Sequence, residues 1–101
     1  MKVITICGSL RFEPEIKQWA EKLELEGNCV LNVICPFNKS GDKENWYTPE
    51  EEAILDRGHI KKIDLSDAIF VVNKGGYIGA STKSEIEYAR ALGKEILFME
   101  N

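Results

Sequence analysis

Apolar residues fall into four short runs separated by stretches with helical spacing. The first run, Lys2 to Cys7 (KVITIC), is β-branched and nearly all apolar, as suits a strand covered on both faces. Gly8-Ser9 ends it. Ile16, Trp19, Ala20 and Leu23 then recur at helix spacing, with Pro14 suited to the first turn and Gly27 to a stop. Asn28 to Cys35 reads as a second strand, ended by Pro36. The polar stretch from Pro36 to Tyr47 is the longest irregular segment, a candidate lid. Thr48-Pro49-Glu50-Glu51 is a capping box, opening a helix to about Leu65. Ala68 to Asn73 (AIFVVN) is a third strand. Lys74 to Ala80 is a Gly-rich loop, Ser81 to Leu92 a helix stopped by Gly93, and Glu95 to Met99 (EILFM) the last strand.

Strands alternating with helices imply parallel pairing and right-handed crossovers. The expected fold is α/β: a small doubly wound, Rossmann- or flavodoxin-like, four-stranded parallel sheet, order 2-1-3-4, with helices on both faces. The length of 101 residues makes residues 1–101 a single domain. There is no repeat, linker or low-complexity tract.

Composition narrows the function. A net charge of −4 argues against a nucleic-acid polymer, which needs a basic face. No apolar run approaches the roughly 20 residues of a membrane span, and no leader pattern opens the chain. A cytoplasmic protein with reduced thiols is expected. Cys7, Cys29 and Cys35 have neither an even count nor CxxC spacing, so they signal no disulfide framework and no zinc site. Cys7 and Cys29 fall in apolar runs and read as small hydrophobes. Neither a metal nor a cofactor is expected.

Open parallel sheets bind ligands beyond the carboxyl ends of their strands. Two loops there carry unusual chemistry. Gly8, Ser9 and Arg11 follow the first strand and offer backbone N–H groups, a hydroxyl and a guanidinium to an anion; the plain alternative is a tight turn with a surface arginine. Gly75, Gly76 and Gly79, then Ser81 and Thr82, follow the third strand, and could cradle a phosphate or sugar hydroxyl; the alternative is an ordinary N-capped helix. Glu85, one turn into that helix, could act as nucleophile or base, or simply complement the helix dipole. Glu87 points elsewhere. His59 is the only histidine, on a helix where packing is the commoner role. Asp67 sits at the wrong end of its strand for the crevice. Phe37, Trp46 and Tyr47 could stack on a base or close the core.

Cys7-Gly8-Ser9-Leu10-Arg11, Asp67-Ala68-Ile69-Phe70-Val71-Val72 and Glu85-Ile86-Glu87-Tyr88-Ala89 with Ala91-Leu92-Gly93-Lys94 resemble the nucleoside 2-deoxyribosyltransferase superfamily. Its deoxynucleoside 5′-monophosphate N-glycosidase branch is included. The resemblance implies that Glu85 attacks the anomeric carbon of a nucleoside or nucleotide, that Gly8, Ser9 and Arg11 hold the ligand, that Ser81 contacts sugar or phosphate, and that the protein is a homodimer. Two departures accompany it. Transferases commonly carry an aspartate six residues before the glutamate, where this chain has Gly79. The glycosidase branch has an aspartate on the preceding helix, for which His59 is the nearest equivalent and so the candidate to replace the acid that assists the departing base. Three functions therefore compete: an N-glycosidic bond hydrolase or transferase, a non-catalytic nucleotide-binding or nucleotide-sensing module, and an interaction scaffold.

Overall fold

A computed structural model describes residues 1–37, 39–41 and 46–101. Positions 38 and 42–45, part of the expected lid, lie outside the described residues. Strands β1 (Val3–Gly8), β2 (Cys29–Leu31), β3 (Ala68–Val72) and β4 (Glu95–Phe98) alternate with helices α1 (Glu13–Leu25), α2 (Pro49–Asp64) and α3 (Ala80–Ala91). Short 3-10 turns, Leu10–Phe12 and Lys74–Gly76, follow β1 and β3. All strands pair in parallel, in the order β2-β1-β3-β4.

Alternation along the two central strands sorts their side chains between two layers. Ile4, Ile6, Ala68, Phe70 and Val72 face one side and pack with Ile16 and Leu23 of α1. Cys7, Ile69 and Val71 face the other and pack with Ile63 of α2 and with Ile86 and Ala89 of α3. The sheet is thus covered on both faces, one helix against two. β3 is apolar and buried along its whole length, as a doubly covered parallel strand requires.

Most element ends fall within one residue of the expected ones, and two departures bear on the site. The second strand ends at Leu31 rather than Cys35. Beyond it, side chains take the place of the ladder: Asn32 Oδ1 accepts from the Val33 N–H at 2.9 Å, and the Asn32 carbonyl accepts from Lys62 Nζ at 2.7 Å. The third helix starts at Ala80, with Gly79 as N-cap and no side-chain cap bond, so Ser81 lies inside the first turn. The capping box is formed as expected. Glu51 N–H donates to Thr48 Oγ1 at 3.1 Å and Thr48 N–H to Glu51 Oε1 at 2.9 Å. Asp67 accepts from the Val3 N–H at 2.8 Å, at the amino end of the sheet and away from the crevice. Among the described residues, no helix is long and apolar enough to cross a membrane.

Candidate active site

The site grows from the face of β1 that meets α2 and α3. Thr5 and Cys7 are two residues apart, so both point there. The buried Thr5 hydroxyl donates to the Lys62 carbonyl at 3.0 Å and contacts the Ser66 hydroxyl. These bonds fix the last turn of α2 against β1. One turn earlier on the same helix face, His59 comes to rest on Cys7, with Nε2 3.5 Å from Sγ. Helix α3 turns Thr82, Ile86 and Ala89 into the core. Glu85, beside that stripe, brings Oε1 to 3.6 Å from His59 Nε2.

Burial dominates the electrostatics of this trio. Loss of hydration raises the Glu85 carboxyl to about 7; the nearby Asp56 charge adds to the rise, and a hydrogen bond from Cys7 opposes it. Burial also lowers the His59 imidazolium to about 4, helped by the Lys62 charge and opposed by Asp56. The Cys7 thiol is pushed far up, first by burial and then by Glu85. The His59–Glu85 contact is of ion-pair length, yet burial, with the Lys62 charge, keeps the imidazole uncharged at neutral pH. His59 Nδ1 is buried with no hydrogen-bond partner among the described residues.

A pocket of about 720 Å³ opens above the trio, within the range of small-molecule sites. Of the candidates from sequence, Gly8, Ser9, His59, Ser81, Thr82 and Glu85 line it. Trp46 and Tyr47 line it as well; Phe37 does not and is almost wholly exposed.

Three further candidates are not in the lining. The Arg11 guanidinium stacks on the Tyr77 ring, 3.9 Å from its centroid. Gly75 and Gly76 have φ of 64° and 81°, so they serve a left-handed turn. The Gly75 N–H donates to Glu100 Oε2 at 3.1 Å, toward the chain end after β4. Two of the loop's three glycines are therefore accounted for by the turn itself. Gly8 does permit a close approach, but to the neighbouring strand: a Cβ there would lie 3.1 Å from both the Cβ and the carbonyl oxygen of Val72.

Two residues escape a reading of the sequence. Cys7 looks like core until the fold sets it beside His59; its place at the carboxyl end of β1 is the only hint. Asp56 lines the pocket one turn before His59. It also borders a smaller cavity of about 250 Å³, shared with Ser81 and Glu85. A carboxylate three residues before the sole histidine was the available signal.

No protein-family model matches the chain, and no curated protein matches it in sequence. A solved structure described as Clostridium botulinum CMP N-glycosidase, BcmB, is similar, with a TM-score of 0.61 and 24% identity; the match covers 96% of this chain and 70% of that chain. The chain therefore shares the α/β fold of that CMP N-glycosidase along almost its whole length.

Proposed function

We propose that the protein breaks the N-glycosidic bond of a nucleoside or nucleoside 5′-monophosphate, with Glu85 as nucleophile. The observation that carries this reading is the seat of Glu85, a partly buried carboxylate lining a pocket of about 720 Å³ between the loops after β1 and β3. An oxocarbenium-like centre needs an anionic carboxylate on one face of the sugar. Glu85 would attack the anomeric carbon as the carbon–nitrogen bond breaks and its electron pair leaves with the base. The glycosyl–Glu85 ester then passes to water, or to a second base in transfer. His59, neutral and packed behind the carboxylate, orients Glu85. Asp56 is assigned the exchange of protons with water and the departing base. Ser9 and Ser81 hold sugar or phosphate oxygens, and Trp46 or Tyr47 stacks on the base. The shared fold with a CMP N-glycosidase supports this reading.

The test is chromatographic detection of free base. The metal-free protein is incubated with ribo- and deoxyribonucleosides and their 5′-monophosphates, beside Glu85→Gln. Base release abolished by that isosteric change is the expected result. Undiminished release in Glu85→Gln removes Glu85 from the mechanism.

A second reading, a nucleotide-binding module without catalysis, is favoured by Gly79. It stands where the transferases resembled by this sequence carry an aspartate, and it lines the pocket without a side chain. A saturable thermal shift with one nucleotide, and no base released from it, is the outcome that reading expects.

A further inference from the structure

We propose that Cys7, His59 and Glu85 form a binding site for a zinc-like divalent cation, with its fourth coordination position open to the pocket. Each residue offers one ligand atom, and the three atoms lie within 4.8 Å of one another. Bond lengths of about 2.3 Å to sulfur and about 2.0–2.1 Å to nitrogen and oxygen, at tetrahedral angles, set S···N near about 3.5 Å and N···O near about 3.4 Å. The observed separations are 3.5 Å for Cys7 Sγ to His59 Nε2 and 3.6 Å for His59 Nε2 to Glu85 Oε1. The third pair, Cys7 Sγ and the Glu85 carboxylate, lies within 4.8 Å, and coordination requires the Glu85 side chain to turn until that separation is about 3.5 Å.

The donor set of one thiolate, one imidazole and one carboxylate suits zinc rather than magnesium or calcium, which take oxygen. His59 and Glu85 line the pocket, so the ion has a route in and a place for water as fourth ligand. The ligands come from three elements, β1, α2 and α3, and no sequence spacing reveals them.

Coordination replaces the Cys7 thiol proton, and any proton on Glu85, and releases them to solvent; neutral His59 gives up none. Uptake therefore weakens as pH falls. A ligating histidine commonly donates its other N–H to a second acceptor. His59 Nδ1 has none among the described residues, so affinity should fall short of a fully braced zinc centre.

The probe is cobalt, titrated into the chelator-treated full chain carrying Cys29→Ser and Cys35→Ser, which removes the two other thiols. The expected result is one equivalent bound, with a thiolate-to-cobalt charge-transfer band that zinc displaces. Adding Cys7→Ser should abolish the band. His59→Gln should weaken zinc binding at least about 10- to 100-fold, the loss that outer-shell changes alone produce. No band, or a band that survives Cys7→Ser, overturns the site. Should Cys7→Ser fail to fold, zinc competition against a chelating dye in His59→Gln decides: unchanged affinity overturns the proposal.

One consequence rests on the glycosidase reading. Zinc on Glu85 withdraws the nucleophile, so zinc should inhibit base release and a chelator should restore it. A cobalt site in a protein that releases no base would keep the metal proposal and sink the glycosidase reading. Base release indifferent to saturating zinc, with the cobalt site present, would sink only Glu85 as nucleophile.

Discussion

Glu85 and His59 titrate in opposite senses, and this gives the residue scale two readouts on metal-free protein. As nucleophile Glu85 must be ionised, so kcat/KM should climb with pH and level off above about 7, where its carboxyl titrates. A pH–rate profile checks it; a profile already flat from pH 5 to 8 would place the essential carboxylate elsewhere. Stability responds to both groups. Glu85 is raised from 4.5 to about 7, so its contribution is full below about 4.5 and lost as pH rises through about 7. His59 is lowered from 6.5 to about 4, so its contribution is full above about 6.5 and lost as pH falls through about 4. Each amounts to something on the order of 3 kcal/mol, and between about 4.5 and 6.5 the two slopes oppose. The wild type should be nearly flat there and weaken toward pH 8. Glu85→Gln should gain stability from pH 4 to 6.5 and then hold it. Urea midpoints across pH 4–8 measure this, and identical profiles for the two proteins would show that Glu85 is not perturbed.

Elements explain why some of the site could be read in advance and some could not. The strand–helix alternation and the parallel pairing follow from apolar periodicity, which is local and strongly patterned; the order β2-β1-β3-β4, which sets the crevice above β1 and β3, agrees with the expectation but is a tertiary fact. Glu85, Ser9 and Ser81 inherit their positions from those elements. Loop side chains do not: Arg11 has a ring to stack on and turns to it, and Gly75 and Gly76 spend their freedom on a left-handed turn. Cys7 was illegible for a different reason. Its meaning depends on which helix face crosses its strand, a tertiary fact.

The same scale carries two substitutions. In Gly8→Ala, the new Cβ meets the Val72 Cβ and carbonyl at 3.1 Å, so β1 and β3 must part. A loss of about 1–3 kcal/mol in denaturant unfolding is expected, with activity falling because the crevice lies on those two strand ends. In Gly79→Asp the backbone is already extended, with φ −76° and ψ 172°, and the new Cβ lies 3.4 Å from the Tyr77 hydroxyl, an ordinary contact. Aspartate is a better N-cap than glycine by a few tenths of a kcal/mol, so Tm should hold or rise slightly. A raised rate of base exchange in this variant is what the transferase resemblance expects; an unchanged rate would show that Gly79 is not what limits transfer.

At the scale of the whole molecule, the two crevice loops are held by contacts outside the crevice. Tyr77 stacks beneath Arg11 at 3.9 Å and meets the Phe12 ring edge-on at 5.9 Å. Lys74 Nζ reaches Glu15 Oε2 at 3.1 Å. These ties join the segment after β1 to the segment after β3, the two flanks of the pocket, while none of these five residues lines the pocket. Tyr77→Ala removes one cation–π and one aromatic pair, together about 1–2 kcal/mol. Its larger effect should be on binding: Ser9 lies in one of the segments that the ring connects and Ser81 in the helix turn that follows the other, and loosening them lowers the preorganisation of the ligand site. KM should rise several-fold while kcat stays near wild type, because Glu85, His59 and Cys7 are anchored by β1, α2 and α3 rather than by the loops. Steady-state kinetics separate the two. A fall in kcat with KM unchanged would mean that the latch positions the reacting groups, and that the chemistry depends on loop geometry as much as on the buried trio.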